Sequence, residues 1–313
     1  MENKHSDTPR NSRRNFLKFG FALGAGAIAG AGILNALTSS EAKAETITLL
    51  TPKGELVQVD STLLKPIDKA QILSENQKKG REGMAGKKWV MVIDLSKCRN
   101  ARMCMAACND AHHLKPEQHH TNTLRMQDAK NTAPYFMPKP CYHCDNPPCT
   151  KVCPVDATFK RQDGIVLIDN ERCIGCRFCI AACPYSARSF NWLEPIKVEG
   201  DENLVYDIEK NVPQKRGTIT KCVFSADRLR EGKLPYCVEA CPNGVYWFGD
   251  VNEDAITNGT TKETTRFSSL IRDNAGYTVM EELGTLPSVY YLPPKDRLFP
   301  FQFEGKTTLD SEK

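Results

Sequence analysis

Cys173-Ile174-Gly175-Cys176-Arg177-Phe178-Cys179-Ile180-Ala181-Ala182-Cys183-Pro184 decides the reading of this chain. Its cysteines follow a C-x2-C-x2-C-x3-C-P run, the spacing that presents thiolates to a [4Fe–4S] cluster. A cubane needs four sulfur donors at the corners of a tetrahedron. A tight loop with a cysteine at every third residue brings three of them to one cube. Gly175 lets the backbone pass close to the cluster, where a Cβ would clash. Ile174 and Phe178 are placed to exclude water, and Pro184 turns the chain after the fourth cysteine. In two-cluster proteins with this run, the fourth cysteine ligates the other cluster. Motifs of this kind therefore work in pairs.

The chain repeats itself. Ile93-Asp94-Leu95-Ser96-Lys97-Cys98 matches Ile168-Asp169-Asn170-Glu171-Arg172-Cys173 at the isoleucine, the aspartate and the cysteine. The match continues through Arg102 and Arg177, Cys104 and Cys179, Ala106-Ala107 and Ala181-Ala182, and Cys108 and Cys183. Ala101 stands where the second copy has Cys176. A second unit, Cys141-x2-Cys144-x4-Cys149-x3-Cys153-Pro154, recurs as Cys222-x2-Ser225-x11-Cys237-x3-Cys241-Pro242, with Ser225 in the place of Cys144. Two replaced positions leave the fourteen cysteines of the sequence, all between Cys98 and Cys241.

Other uses of cysteine fit less well. An exported chain with an even number of cysteines could form disulfides, but such frameworks serve short chains and do not need this run. Structural zinc uses paired C-x2-C steps, and the third and fourth cysteines overshoot a tetrahedral zinc site. Covalent haem is excluded, because no Cys-x2-Cys-His occurs.

The order of the four motifs resembles the four-cluster electron-transfer subunits of the dimethyl sulfoxide and polysulfide reductase type. The last motif, Cys222…Arg228…Gly232…Pro235-x-Cys237-Val238-x2-Cys241-Pro242, carries the match furthest. The resemblance covers about Lys88 to Asp250. It implies an α+β fold of two ferredoxin-like halves, a tandem bacterial two-cluster ferredoxin, with loop insertions. It also implies a ligand pairing. Cys141, Cys144, Cys149 and Cys183 would hold one [4Fe–4S] cluster, and Cys173, Cys176, Cys179 and Cys153 another. Cys98, Cys104 and Cys241 would hold a third, with a vacant corner at Ala101 that predicts a [3Fe–4S] cluster. Cys222, Cys237 and Cys108 would hold a fourth of uncertain type, with Ser225 as alkoxide ligand or hydrogen-bond donor. Cluster type and charge set potential over about −700 to +450 mV, and the altered half is expected to run higher than the complete one. No catalytic residue is expected. The implied partners are a catalytic subunit, with molybdopterin as its candidate cofactor, and a polytopic quinone-reactive membrane subunit.

Ser12-Arg13-Arg14-Asn15-Phe16-Leu17-Lys18 reads as a twin-arginine export motif. An apolar stretch, 19–37, and the A-x-A site Ala42-Lys43-Ala44 complete a cleavable leader. A retained anchor is the alternative, since about 20 residues span a bilayer. Clusters are built in the cytoplasm, so a folded protein would be exported to the periplasm. The expected organisation is a leader at 1–44, a lead-in at 45–87, an iron–sulfur domain at 88–250 and a docking tail at 251–313. Within the domain, the complete half is about 138–190 and the altered half about 88–137 plus 218–250. The net charge of +4 on 313 residues argues against nucleic-acid binding or a polybasic membrane patch.

Trp89-Val90-Met91-Val92-Ile93, Ile165-Val166-Leu167-Ile168 and Tyr246-Trp247-Phe248 read as strands. Met103 to Ala111 and Phe178 to Cys183 read as short helices. Ala111 to Pro140 and Ser186 to Gly217 read as insertions, and Tyr290-Tyr291-Leu292-Pro293-Pro294 and Phe299-Pro300-Phe301 as parts of an extended arm. His112, His113, His119 and His120 are expected to be solvated, with metal ligation as the lesser alternative; His143, between Cys141 and Cys144, lies near a cluster and either hydrogen-bonds to it or simply faces solvent, the latter being expected; Trp192 and Trp247 are expected to be core. Lys221 points either to a cluster sulfur or to a partner carboxylate. Three functions compete: an electron-relay subunit of a membrane-associated complex, a freely diffusing exported polyferredoxin, and an enzyme with an open iron site at Ala101. The insertions and tail favour the first.

Overall fold

Trp89-Val90-Met91-Val92-Ile93 is apolar on both sides of its pleat, and such a run is stable only with both faces covered. In the computed structural model, which describes residues 46–50, 55–60, 73–129, 132–196 and 204–295, it becomes strand β3 (Trp89–Asp94) of a five-stranded sheet ordered β12-β11-β10-β3-β13. β10 (Tyr246–Asp250) lies antiparallel to it with Trp247 opposite Val92. β11 (Ala255–Asn258) and β12 (Thr264–Arg266) extend the sheet outward. β13 (Val289–Leu292) runs parallel to β3 on its other side, with Tyr291 opposite Ile93. Alternation of side chains sends Met91 and Ile93 into the main core among Cys98, Cys104, Cys222 and Cys237. Val90 and Val92 face a smaller core with Trp247, Ile256 and Leu292, against which Phe267, Leu270 and Ile271 of helix α7 (Phe267–Asp273) pack.

The chain divides into two units, residues 1–68 and 69–313. The described part of the first is an antiparallel hairpin of β1 (Thr46–Leu50) and β2 (Leu56–Asp60). All cysteines lie in the second. The expected lead-in at 45–87 is therefore not one piece. Its later part forms α1 (Glu75–Glu82), opened by a capping box in which Ser74 Oγ accepts from Gln77 N at 3.3 Å and Gln77 Oε1 accepts from Ser74 N at 2.9 Å. Gln77 then donates to Asp169 at 2.9 Å, and Arg81 bonds Asp156 at 2.9 Å and covers the Phe159 ring. Gly80 packs so closely on Ile208 that a Cβ there would meet it at 1.9 Å. These contacts tie the helix to the cysteine-bearing unit.

Short elements connect the sulfur loops: α2 (Met103–Ala111), the hairpin β4 (Asn122–Met126) and β5 (Tyr135–Lys139), α3 (Pro148–Lys151), the hairpin β6 (Thr158–Lys160) and β7 (Val166–Ile168), α4 (Phe178–Ala181), the pair β8 (Ser189–Phe190) and β9 (Ile219–Thr220), α5 (Ala226–Arg230) and α6 (Tyr236–Glu239). The sequence repeat recurs as repeated backbone conformation. Arg102 and Arg177 open α2 and α4 with φ of 56° and 64°. Asp94 Oδ1 accepts from Ser96 N, and Asp169 Oδ1 from Glu171 N, both at 3.0 Å. His143 and Phe224, equivalent in the second repeat, have φ of 42° and 54° and stack on each other at 3.8 Å between centroids.

The reading of 251–313 as an extended docking tail is corrected over its described part. Residues 251–295 add two strands and a helix to the sheet and end in β13. Tyr290-Tyr291-Leu292 is extended, but its edge is taken by β3. Tyr291 is fully buried, and its hydroxyl donates to Pro138 O at 2.9 Å. The preceding residues clamp the Cys141–Cys144 loop: Asn146 N donates to Thr285 O at 3.0 Å, Asp145 N to Leu286 O at 2.8 Å and Ser288 N to Tyr142 O at 2.8 Å. Trp192 is also corrected; it is 64% exposed, whereas Trp247 is buried. Phe299-Pro300-Phe301 and the expected leader lie outside the described residues. No helix among the described residues is long and apolar enough to cross a membrane.

The clamp makes a prediction. A chain ending after Gly284 should lose solubility and the iron content of the Cys141 group, whereas removal of a docking arm would leave both intact. The milder Tyr291→Phe removes the bonds of its hydroxyl to Pro138 O and to the Tyr142 hydroxyl and should cost about 1–2 kcal/mol in urea unfolding.

Candidate metal centre

The second repeat and the complete run meet in two cavities. One is lined by Cys141, Cys144, Cys149 and Cys183, with Pro147, Pro184, His143 and Arg188 around them. The other is lined by Cys153, Cys173, Cys176 and Cys179, with Thr158, Ile168 and Ile219. Each cavity thus takes three cysteines from one motif and the last cysteine of the other. Cys98, Cys104 and Cys241 form a third group within electrostatic reach of one another. Cys108, Cys222 and Cys237 form a fourth. All fourteen are free thiols.

The groups follow one another in a line. Cys149 and Cys179 pack in one cluster with Val166, Ile168 and Ile219, joining the second cavity to the first. Cys222 lies against Cys141, joining the first cavity to the fourth group. Cys104 neighbours Cys108 and Cys237, joining the fourth group to the third. Cys153, Cys173 and Cys176 are half-buried at one end; at the other, Cys98, Cys104 and Cys241 are buried and Ala101 beside them is exposed. Cys108, Cys222 and Cys237, in the middle, are buried.

Burial sets the electrostatics. It pushes the Cys144 thiol up to about 12, with Cys141 adding to the rise, and the Cys222 thiol up to about 11. It also raises Cys98, Cys104, Cys108, Cys149, Cys179 and Cys237. Left bare, these sulfurs would stay protonated and inert; metal or cluster binding must displace the protons.

Buried donors test whether a sulfide-rich group fits. Val166 N donates to His143 Nδ1 at 3.1 Å, which leaves the proton on Nε2. That Nε2 is buried with no oxygen or nitrogen partner among the described residues, as are Arg188 Nη2 and the Tyr246 hydroxyl. His143 and Arg188 line the first cavity, and Tyr246 lies beside Cys104. Arg188 and Tyr246 turn instead to cysteine sulfur, Arg188 to Cys149 and Cys179 and Tyr246 to Cys104, and donors aimed at sulfur match a cofactor that brings sulfur acceptors of its own. Cluster sulfides are such acceptors; a lone zinc ion is not.

Several sequence expectations change here. Ile174 and Phe178 do not seal the cavity; they are 63% and 59% exposed. Gly175 has φ of 68°, and a Cβ there would lie 2.1 Å from Gly217 O, so the close approach that demands glycine is to backbone. His143 does not face solvent; it is buried and stacked on Phe224. His112 and His120 are buried too, with ring centroids 4.9 Å apart. Their nitrogens and Cys108 Sγ all lie within 4.8 Å of one another. Ser225 Oγ accepts from Tyr236 N at 3.2 Å, beside Cys237. Lys221 Nζ is buried and donates to Val166 O and to Cys222 O, the latter at 2.7 Å. Burial lowers its pKa, and the nearby Cys141 sulfur opposes that. The sequence reading missed Arg188, which only its position five residues after Cys183 could have flagged.

Comparison with known proteins assigns the family. Residues 132–199 match the 4Fe-4S dicluster domain. The chain is 34% identical over 302 residues to a selenate reductase subunit of Mesobacillus selenatarsenatis, covering 91% of this chain and 98% of that protein. The chain belongs to the iron–sulfur subunits of the dimethyl sulfoxide reductase type. It is 35% identical to the iron–sulfur cluster-binding subunit of a menaquinone reductase from Nitratidesulfovibrio vulgaris, over 67% of this chain and 90% of the relative. It is 34% identical to a putative dimethyl sulfoxide reductase iron–sulfur subunit from Halobacterium salinarum, over 64% and 78%. This iron–sulfur subunit is an electron-transfer component of an oxidoreductase complex and not its catalytic chain.

The buried imidazoles predict a pH dependence. Burial lowers His112 to about 4 and holds His120 and His143 well below the ordinary histidine value. The unfolded chain takes up protons below about pH 6.5, which folded His112 refuses until near pH 4 and folded His120 and His143 also resist. Stability is therefore full above pH 7 and falls as pH drops from 6.5 toward 4, by up to about 1.4 kcal/mol per unit for each histidine. Urea midpoints at pH 7.5 and pH 5, with iron content followed at both, should show the loss.

Proposed function

We propose that the four sulfur groups hold four iron–sulfur clusters and that the chain passes electrons along their line between two partner subunits. The exchange of Cys153 and Cys183 between neighbouring cavities carries this reading. Paired [4Fe–4S] sites share the fourth cysteine of each run in this way, and the C-x2-C-x2-C-x3-C-P spacing is theirs rather than that of paired C-x2-C zinc steps. The reading assigns one [4Fe–4S] cluster to Cys141, Cys144, Cys149 and Cys183 and another to Cys153, Cys173, Cys176 and Cys179. It assigns a [3Fe–4S] cluster to Cys98, Cys104 and Cys241, because Ala101 offers no donor atom. Cys108, Cys222 and Cys237 hold the fourth, with Ser225 beside its open corner. Bound there, the clusters would supply one-electron redox chemistry. The protein groups fix the sulfurs, donate hydrogen bonds from His143, Tyr246 and Arg188, and keep water from the middle of the line. The two pairs of groups then make two ferredoxin-like halves.

The two ends of the line suit electron entry and exit through partner proteins. The relatives named as selenate reductase and menaquinone reductase subunits support a catalytic partner and a quinone-reactive one; the proposal takes the first to be of the molybdopterin kind and the second to be a polytopic membrane subunit. The twin-arginine motif supports export in the folded state to the periplasm, with membrane association through partners. One observation favours a second use of Cys108: with His112 and His120 it makes a buried three-ligand set for a single zinc ion. Metal analysis separates the readings, because zinc there would remove the fourth cluster.

Iron and sulfide analysis of anaerobically purified protein, with an EPR-monitored redox titration, should give two low-potential [4Fe–4S] signals and a [3Fe–4S] signal in the oxidised protein. Ala101→Cys should replace the [3Fe–4S] signal with a [4Fe–4S] signal of lower potential. A colourless, iron-free chain would overturn the reading. In a separate test of location, replacing Arg13 and Arg14 together with lysine should hold the protein in the cytoplasm on cell fractionation.

A further inference from the structure

Two arginines are buried among the described residues, and only one has a counter-charge. Arg161 lies between Asp163 and Glu209, each at 2.5 Å. Arg188 forms no ion pair with a carboxylate among the described residues. Its one oxygen partner is Thr158 Oγ1, at 3.2 Å from Nη1, and its Nη2 is buried with no oxygen or nitrogen acceptor. A guanidinium is always charged, and an isolated buried charge is too costly to keep. The compensating negative charge must therefore come from sulfur.

The position of Arg188 says which sulfur. It lines the Cys141 cavity. Thr158, which holds it, lines the Cys173 cavity. Cys149 of the first and Cys179 of the second pack together at the junction, and both are within reach of the guanidinium. We infer that Arg188 is a shared electrostatic positioning residue for two neighbouring clusters, holding both at a higher potential than their four-cysteine ligation alone would set. Each cluster gains one electron, and no proton, on reduction. The fixed cation offsets that added negative charge, and net charge and hydrogen bonds to sulfur are what set such potentials. One arginine thereby raises two successive steps of the line together, which keeps them matched.

This inference rests on clusters filling the two cavities, so the wild-type full chain is first scored for their EPR signals. Without them the proposed function itself fails. With them present, Arg188→Met removes the charge at similar volume, Arg188→Lys keeps it, and Thr158→Val removes only the hydrogen bond that aims it. In Arg188→Met both [4Fe–4S] signals should move to lower potential, by about a tenfold change in the oxidised-to-reduced ratio at a fixed poise, equivalent to about 59 mV for one electron. The signals of the altered half should stay in place. Arg188→Lys should recover most of the shift, and Thr158→Val should move the same two signals by less. Should Arg188→Met lose iron from these sites, Thr158→Val carries the test, and an unchanged potential of both signals in it overturns the inference. A shift of one signal only, of all four alike, of none, or an equal effect of Met and Lys overturns it.

Discussion

Sulfur crowded into a dry interior is the constraint on which this protein depends. Most of its thiols sit where burial resists ionisation, and Arg188 sits where nothing made of oxygen can neutralise it. Each of these is unfavourable alone, and an iron–sulfur group answers both. It takes the sulfurs as thiolates and gives the cation a negative neighbour. The same logic covers His143 and Tyr246, whose protons find no oxygen or nitrogen acceptor among the described residues. The fold holds donor and acceptor halves of a structure that the polypeptide by itself leaves incomplete.

Spacing made much of this legible. Cysteine runs are local, and their geometry follows from a few backbone angles, so the matching αL residues at Arg102 and Arg177 could be expected from the repeat. The strand at Trp89–Asp94 announced itself by a run that is apolar on both faces. Pairing across the chain was not legible. Tyr290-Tyr291-Leu292-Pro293-Pro294 looks like a free extended arm because its hydrogen-bond partner, β3, lies some two hundred residues earlier. The burial of His112, His120 and His143 was hidden for a related reason. A histidine in a polar stretch reads as solvated until another segment covers it. Gly175 lines the Cys173 cavity as its place in the run suggests, but the carbonyl that also crowds it belongs to the distant Gly217 and was not legible.

Exposure is distributed along the line in a way that composition does not reveal. The middle groups are buried, while Ile174, Phe178 and Trp192 stand out at one end and Ala101 with Met103 at the other. Exposed large apolar side chains of this kind are the surface the proposed partners would cover. Arg177, stacked against Phe190 and Trp192 at 5.3 and 5.0 Å from their ring centroids, stiffens one such rim.

The clamp on the Cys141 loop by residues 285–288 bears on biogenesis. Every cysteine is translated before that clamp exists. A nascent chain emerging from the ribosome therefore carries its whole set of thiols while one metal pocket still lacks its backing. The backing of that pocket is complete only once residues 285–288 have been made and have docked.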